Sequence, residues 1–289
     1  MADGRELLPT FLILGAQKAA TSTLWGGLRR HPQVFLPDVK EPDYFATEES
    51  FTGRRDWYAG LFAGAGAARA RGEASTTYTM FPQYHGAARR IATTIPDVRL
   101  VYVVRDPVDR MRSAYSHSVA LGYETRPMAD ALVQDLRYAC HSLYALQLEQ
   151  YLRWFPQEQL LVVSQDAVRR DAAGVLRRVQ QFVGVEPVPL EGPLEDLNVG
   201  QDKRAPRPAW HRFGRFVLRH DLAAAVPKRL VRMNEQRHPL LTRPLRQDEL
   251  ELPAGLRERL LDLFRPDLER LMPMTDAETA ADVARWSQA

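Results

Sequence analysis

The stretch "FLILGAQKAATSTLWGGLRRHP", Phe11 to Pro32, constrains the fold more than any other. An apolar run reaches Gly15, a lysine follows at position 18, and then come Thr21, Ser22 and Thr23. "FLILGA" predicts a buried strand, and "TSTLWGGLRRHP" a helix that starts near Thr21 and is stopped by His31-Pro32. Backbone N–H groups at a strand-to-helix turn, joined to a helix N-terminus, form a concave anion site. Lys18 adds a mobile point charge, and the three hydroxyls add donors. This is not the nucleotide-binding P-loop, which needs glycine directly before the lysine and a hydroxyl directly after it. Here Gln17 precedes Lys18 and Ala19 follows. Alone, the same residues equally suit a surface turn closed by a Ser/Thr helix cap.

Two further apolar runs predict buried strands, Leu100 to Val104 and Leu160 to Val163. "VDRMRSAYSHSVALG" and "AAGVLRRVQQFVGV" predict helices, the second with Val175, Val179 and Phe182 on one side. Strands alternating with helices give an α/β fold with a central parallel sheet covered on both faces. At 289 residues the chain suits one such domain, 1–289. Ligands in such sheets sit at the carboxyl ends of strands, where the Lys18 loop and Arg105 both fall. Between Lys203 and Arg246, twelve basic residues face only Asp221 and Glu235, and prolines recur. Residues 205–246 are expected to form a basic helical lid or insertion on the acceptor side, with Trp210, Phe213 and Val217 at helical spacing. "LRERLLDLFRPDLERLM" predicts an amphipathic helix broken at Pro266.

Arg105 stands at a strand end, and Ser113 follows eight residues later inside the next helix. An arginine and a hydroxyl converging there suit a second phosphate, the arginine binding it bidentately. "RDP" is also a common turn. In "LPDVKEPDYF", Lys40, Glu41 and Asp43 cluster around Pro42. A carboxylate beside a lysine, near an anion loop, is what a general base for a hydroxyl needs. A solvated loop ion pair looks the same.

Taken together, these segments resemble the PAPS-dependent sulfotransferases (PAPS is 3′-phosphoadenosine 5′-phosphosulfate). The nearest branch holds the heparan sulfate sulfotransferases and bacterial small-molecule relatives. The family's phosphosulfate loop, Lys-x-Gly-Thr-Thr/Ser, is matched by Lys18-Ala19-Ala20-Thr21-Ser22, with Ala20 in place of the glycine. Its 3′-phosphate motif is matched by Arg105 and Ser113, followed by Tyr115 and His117, and its Lys-Glu-Pro loop by Lys40 to Phe45. "DWYAGLF", "GEASTTY", "QQFVGV" and "NVGQDKRAP" are similar to later segments of that branch.

The resemblance implies a P-loop-like sulfotransferase fold and in-line transfer of SO₃ from PAPS, leaving PAP, to an acceptor hydroxyl. It implies Lys18 at the bridging oxygen, and Ala19, Ala20, Thr21, Ser22 and Thr23 around the 5′-phosphate. Arg105 and Ser113, helped by Lys203 and Arg204, would hold the 3′-phosphate. Glu41 would take the acceptor's proton, with Lys40 at the sulfuryl group. Phe182 and Trp57 would line the adenine pocket, and Asp43, His117 and Trp57 are acceptor-side candidates. If φ is positive at Ala20, its Cβ restricts the loop.

The implied acceptor is a small molecule, a glycan or a lipid, and the bacterial relatives suggest secondary metabolism. No metal is expected, because the Walker pattern that accompanies bound Mg²⁺ is missing. Only four of the 39 basic residues are lysines, and three of them, Lys18, Lys40 and Lys203, fall in these stretches. Net charge is +3 with sparse basic–aromatic interleaving, which argues against a nucleic-acid partner. Cys140 is the single cysteine, so no internal disulfide is possible. "MADGRELLPT" has no apolar signal region and no stretch reaches membrane-spanning length, so a soluble, cytoplasmic protein is expected. Two rivals remain at this stage: an ATP-dependent phosphotransferase of related architecture, and a non-catalytic anion binder.

Overall fold

In the computed structural model, the Phe11–Gly15 run forms β1, the middle strand of a five-stranded sheet. The structure describes residues 8–189, 192, 204–207, 209–210, 212, 240–246 and 249–288. The sheet is completed by β2 (Val34–Phe35), β3 (Ala70–Ala74), β4 (Arg99–Val104) and β5 (Leu160–Ser164), in the order β2-β3-β1-β4-β5. Every pairing in it is parallel. All five residues of β1 are buried, as are Leu100 to Val104 of β4, which is why these strands read as continuous apolar runs. The chain leaves β1 between β3 on one side and β4 on the other. That reversal of strand order opens a crevice at the carboxyl ends of the strands.

Helices cover both faces. In chain order they begin with α1 (Thr21–Leu28), the short α2 (Glu48–Gly53) and α3 (Arg55–Gly60), and α4 (Ala87–Thr94). Then come α5 (Pro107–Leu121), α6 (Met128–Gln134), α7 (Leu136–Cys140) and α8 (Tyr144–Leu152). After β5 follow α9 (Gln165–Arg170) and α10 (Ala172–Phe182). Two C-terminal helices, α11 (Leu256–Leu271) and α12 (Ala277–Gln288), close the described chain. The expected strands and helices of the first 189 residues are thus present, within about three residues at their ends.

One expectation fails. α11 runs unbroken through Pro266. Proline removes one i→i−4 bond, but it sits on the exposed face. Leu260, Leu261 and Phe264 before it, and Leu268 and Leu271 after it, are buried on the other face and hold both halves in line. Beside it Asp267, 2% exposed, accepts from the N–H groups of Ala145 and Leu146 at 2.9 and 3.0 Å, capping α8 from another helix.

The described ends of the basic segment meet as a two-stranded antiparallel ribbon, β6 (Arg204–Pro206) with β7 (Thr242–Pro244), and β6 contacts α5. Lys203, Phe213 and Val217 lie outside the described residues, as does most of the expected 205–246 lid. Among the described residues no helix is long and apolar enough to cross a membrane.

Candidate active site

The loop after β1 turns sharply on Gly15, at φ +140°. A Cβ there would stand 2.3 Å from Thr79 Oγ1, which is tied to the Leu14 carbonyl at 2.8 Å, so only glycine fits. The chain then takes left-handed conformations at Lys18 (φ +72°) and Ala20 (φ +73°) before α1 begins at Thr21. Ala20 is the N-cap residue of α1 and offers no side-chain cap, so it occupies a position that glycine or a polar cap normally fills. A left-handed alanine costs on the order of 1–2 kcal/mol. The positive φ that the sequence raised as a question is therefore present.

The loop forms one wall of a cleft of about 320 Å³ lined by Lys18, Ala20, Thr21, Ser22, Thr23, Lys40, Glu41, Arg105, Ser113 and His117, with Gln17 and Thr76. Four separate segments meet there. Arg105 arrives from the end of β4 and donates from Nη1 to the Lys18 carbonyl at 3.1 Å, tying the two segments together. Its Nε is buried and bonds to no protein atom, and burial pulls the guanidinium below its ordinary range. Ser113 and His117, one turn apart on α5, line the same wall. α5 is held by Asp106, whose side chain accepts from the Asp109 N–H at 2.9 Å and pairs with Arg257 at 2.6 Å. This donor set, with an orphaned guanidinium N–H, a lysine, hydroxyls and a helix N-terminus, fits the phosphates of a nucleotide such as PAPS.

Lys40 and Glu41 come from the loop after β2. Lys40 Nζ donates to Glu41 Oε1 at 2.7 Å, and Thr76 Oγ1 donates to Glu41 Oε2 at 3.1 Å. Asp43 lies two residues on. It accepts from Thr77 Oγ1 at 2.6 Å, and burial pushes its carboxyl above the ordinary aspartate range. Both Glu41 (φ +61°) and Asp43 (φ +53°) are left-handed.

A second cavity of about 410 Å³ opens on the other side of Glu41. Gln17, Glu41 and Thr76 line both cavities. The second is walled by Met80, Gln83, Tyr84, Tyr123, Glu124 and Tyr138, with Arg137 and His141. Burial, then the nearby Arg110 and Arg137, pull the His141 imidazole down to about 3, so it stays neutral at working pH.

Three expected contributors lie elsewhere. Trp57 is 39% exposed on α3, with the Arg54 guanidinium 3.7 Å from its ring, and lines neither cavity. Phe182 packs on the core at the end of α10 with Arg99 over its ring, again outside both cavities. Arg204 donates to Thr242 at 2.8 and 3.2 Å within the β6–β7 ribbon. The sequence reading passed over Gln17, Thr76 and Thr77. The signal available was the run of three hydroxyl residues after β3, Ser75 to Thr77, at the carboxyl end of a strand. Among the described residues no group of three or more His, Cys, Asp or Glu side chains is placed to hold a metal ion.

Residues 9–189 match the model of the Sulfotransferase family, and the chain belongs to that family. It is 32% identical over 195 residues to mouse heparan sulfate glucosamine 3-O-sulfotransferase 3A1, covering 64% of this chain and 48% of that protein. It is 29% identical over 206 residues to human bifunctional heparan sulfate N-deacetylase/N-sulfotransferase 3, covering 63% of this chain and 23% of that protein. The chain thus spans half or less of these curated relatives. A crystal structure of a sulfotransferase from Alicyclobacillus acidocaldarius superposes with a TM-score of 0.68 at 26% identity, covering 97% of this chain and 99% of that one.

Proposed function

From membership of the sulfotransferase family we propose that this protein moves a sulfuryl group from PAPS to a hydroxyl of a small-molecule or glycan acceptor. The observation that carries the reading is that Glu41 stands on the boundary between two cavities, one rich in anion donors and the other mixed polar and aromatic. A base that removes the acceptor's proton belongs at such a junction. When bound, PAPS supplies the sulfuryl group and a phosphate leaving group. The loop amides and the hydroxyls of Thr21, Ser22 and Thr23 hold the 5′-phosphate end. Lys18 places its charge where negative charge grows on the bridging oxygen. Arg105 and Ser113 hold the 3′-phosphate. Glu41 accepts the acceptor's proton. Lys40, 2.7 Å away, pairs with it and stands beside the transferring group. Thr76 holds the second carboxylate oxygen as Lys40 holds the first, and together they orient the carboxylate.

The acceptor cavity favours a hydroxylated molecule with a flat or apolar face. Tyr84, Tyr123 and Tyr138 supply ring surface, while Gln83, Glu124 and Arg137 supply polar contacts. A glycan fits this description, and the glycan acceptors named for the curated relatives agree with it. Two measurements test the reading. A thermal-shift panel of PAP, PAPS, ATP with Mg²⁺ and a DNA oligomer is expected to show stabilisation by PAP and PAPS first. Mass spectrometry of hydroxylated acceptors incubated with PAPS is expected to show a gain of one SO₃. A preference for ATP with Mg²⁺, with phosphate gained instead, would replace the reading with phosphoryl transfer.

A further inference from the structure

The Lys40–Phe45 loop holds two non-glycine residues in the left-handed region, Glu41 and Asp43, on either side of Pro42. Such residues cost on the order of 1–3 kcal/mol each and persist only where their surroundings over-determine them. The surroundings here are the end of β3 and the turn after it. The Glu41 N–H donates to the Ala74 carbonyl at 2.9 Å. The Asp43 N–H donates to Ser75 Oγ at 3.1 Å, and the Phe45 N–H donates to Tyr78 Oη at 3.2 Å. Both of those hydroxyls in turn donate to one carboxylate. Ser75 Oγ bonds to Glu73 Oε2 at 2.9 Å, and Tyr78 Oη bonds to Glu73 Oε1 at 2.8 Å. Tyr58 adds a longer contact at 3.4 Å, and its ring stacks on Tyr44 of the same loop with centroids 4.1 Å apart.

Glu73 is completely buried, and among the described residues no cationic side chain pairs with it. It lines neither cavity, so it touches neither donor nor acceptor. A buried carboxylate with no cation is costly to keep, which makes its partners informative. Burial raises the Glu73 carboxyl to about 7, and above that pH, where it is ionised, it can only accept. It therefore fixes the direction of both hydroxyls: each spends its single hydrogen on Glu73 and turns a lone pair to a loop amide. Resting on the assignment of Glu41 as the base, we propose that Glu73 is a positioning residue for the transfer reaction, holding the base-bearing loop through Ser75 and Tyr78.

The test is Glu73→Gln in the full chain, assayed at pH 8, where the wild-type carboxyl is ionised. The amide keeps the volume but adds two N–H donors, so one hydroxyl must receive a hydrogen bond where it formerly gave one. The expected result is a kcat lower by about 10–100-fold, the loss that misplacement of a reacting group by a fraction of an ångström to an ångström produces. PAP affinity is expected to stay within about twofold, since the Lys18 loop is untouched. Backbone hydrogen exchange is expected to speed up in the peptide spanning residues 40–46 and to stay unchanged over residues 15–25. Ser75→Ala, which removes one handle and leaves the carboxylate, is expected to show a smaller loss of the same kind. It also serves if Glu73→Gln does not fold. In the double variant the losses are expected not to add, because the two side chains act in series. An unchanged kcat with unchanged exchange at 40–46 would overturn the proposal, as would equal losses in kcat and PAP affinity. If the wild type transfers no sulfuryl group yet exchange at 40–46 responds as stated, the functional reading fails and the role of Glu73 in holding the loop stands.

Discussion

Replacing Arg105 with alanine separates two things that the side chain does. Its Nη1 ties the Lys18 carbonyl at 3.1 Å, and its Nε is buried with no protein partner. The first contact is structural for the loop and helps any nucleotide that binds there. A neutral acceptor bonded by a cation contributes about 1 kcal/mol net, or roughly a fivefold change in Kd. The second is available only to a ligand group that reaches the end of β4. A charge-assisted bond to a partly desolvated phosphate is worth about 2–3 kcal/mol, or roughly 30–150-fold. The variant is therefore expected to bind adenosine 5′-phosphate about fivefold more weakly. PAP, which differs by the 3′-phosphate, is expected to lose both contributions, some hundreds of fold in all. Titration calorimetry with the two ligands measures both numbers without knowledge of the acceptor. Equal losses for the two ligands would place the 3′-phosphate elsewhere and leave Arg105 as a loop strut alone.

Further expectations concern the other cleft residues. Glu41→Gln keeps the shape of the side chain and is expected to lower kcat by about 10²–10⁴ while PAP affinity barely changes; a rate above about a tenth of wild type with chemistry limiting would remove Glu41 from the role of base. Thr76→Val frees Glu41 Oε2, and a loss of kcat of about tenfold is expected at unchanged PAP affinity, read by product formation at saturating PAPS. Ala20→Gly relieves a left-handed alanine of on the order of 1–2 kcal/mol but frees the unfolded chain by about 0.4–1 kcal/mol, so a Tm equal to or slightly above wild type is expected by calorimetry. Glu73 predicts a pH dependence of stability. Burial raises its carboxyl from 4.5 to about 7, so between these values the folded chain holds the proton more tightly than the unfolded chain. Its contribution is most favourable below pH 4.5 and is lost as pH rises through 7, on the order of 3 kcal/mol in all. Denaturant unfolding at pH 5 and pH 8 is expected to show this difference shrinking in Glu73→Gln.

The parts of the site that were legible in the sequence are those in which local chemistry and tertiary context agree. β1, β4 and β5 are buried on both faces, so their apolar runs announce them. Arg105 and Ser113 follow from a strand end and the helix after it, and β4 and α5 place them on one wall. The lysine and hydroxyls after β1 follow in the same way. The misses have the opposite character. Pro266 is a local helix breaker overruled by a buried face on either side of it. Trp57 and Phe182 are aromatic residues whose type suits an adenine pocket; one carries the Arg54 guanidinium over its ring and the other packs on the core, and neither lines the two cavities. Residue type alone does not say which way a ring points. Thr76 and Thr77 enter the site because β3 lies beside β1 in the sheet, and strand order is not written in any short motif.

The left-handed residues make the same point from the backbone. Among the described residues, four that are not glycine have positive φ: Lys18, Ala20, Glu41 and Asp43. Glycine or asparagine would have advertised such positions, and none of the four is either. Three of them line the anion cleft, and the fourth lies two residues from Glu41. Strain confined to one place needs a counterweight there, and the hydrogen bonds supply it: Arg105 to the Lys18 carbonyl, Ala74 to the Glu41 amide, and Ser75 to the Asp43 amide. Each counterweight comes from the end of a neighbouring strand, β4 or β3, on either side of β1. The sheet order that opens the crevice therefore also holds its two unusual loops in shape. A glycine at any of the four positions would reach the same φ at lower cost, but Lys18 and Glu41 would then lose side chains that line the cleft, and Asp43 the carboxylate that Thr77 holds. On this account the strain is what it costs to put chemistry where the backbone must turn.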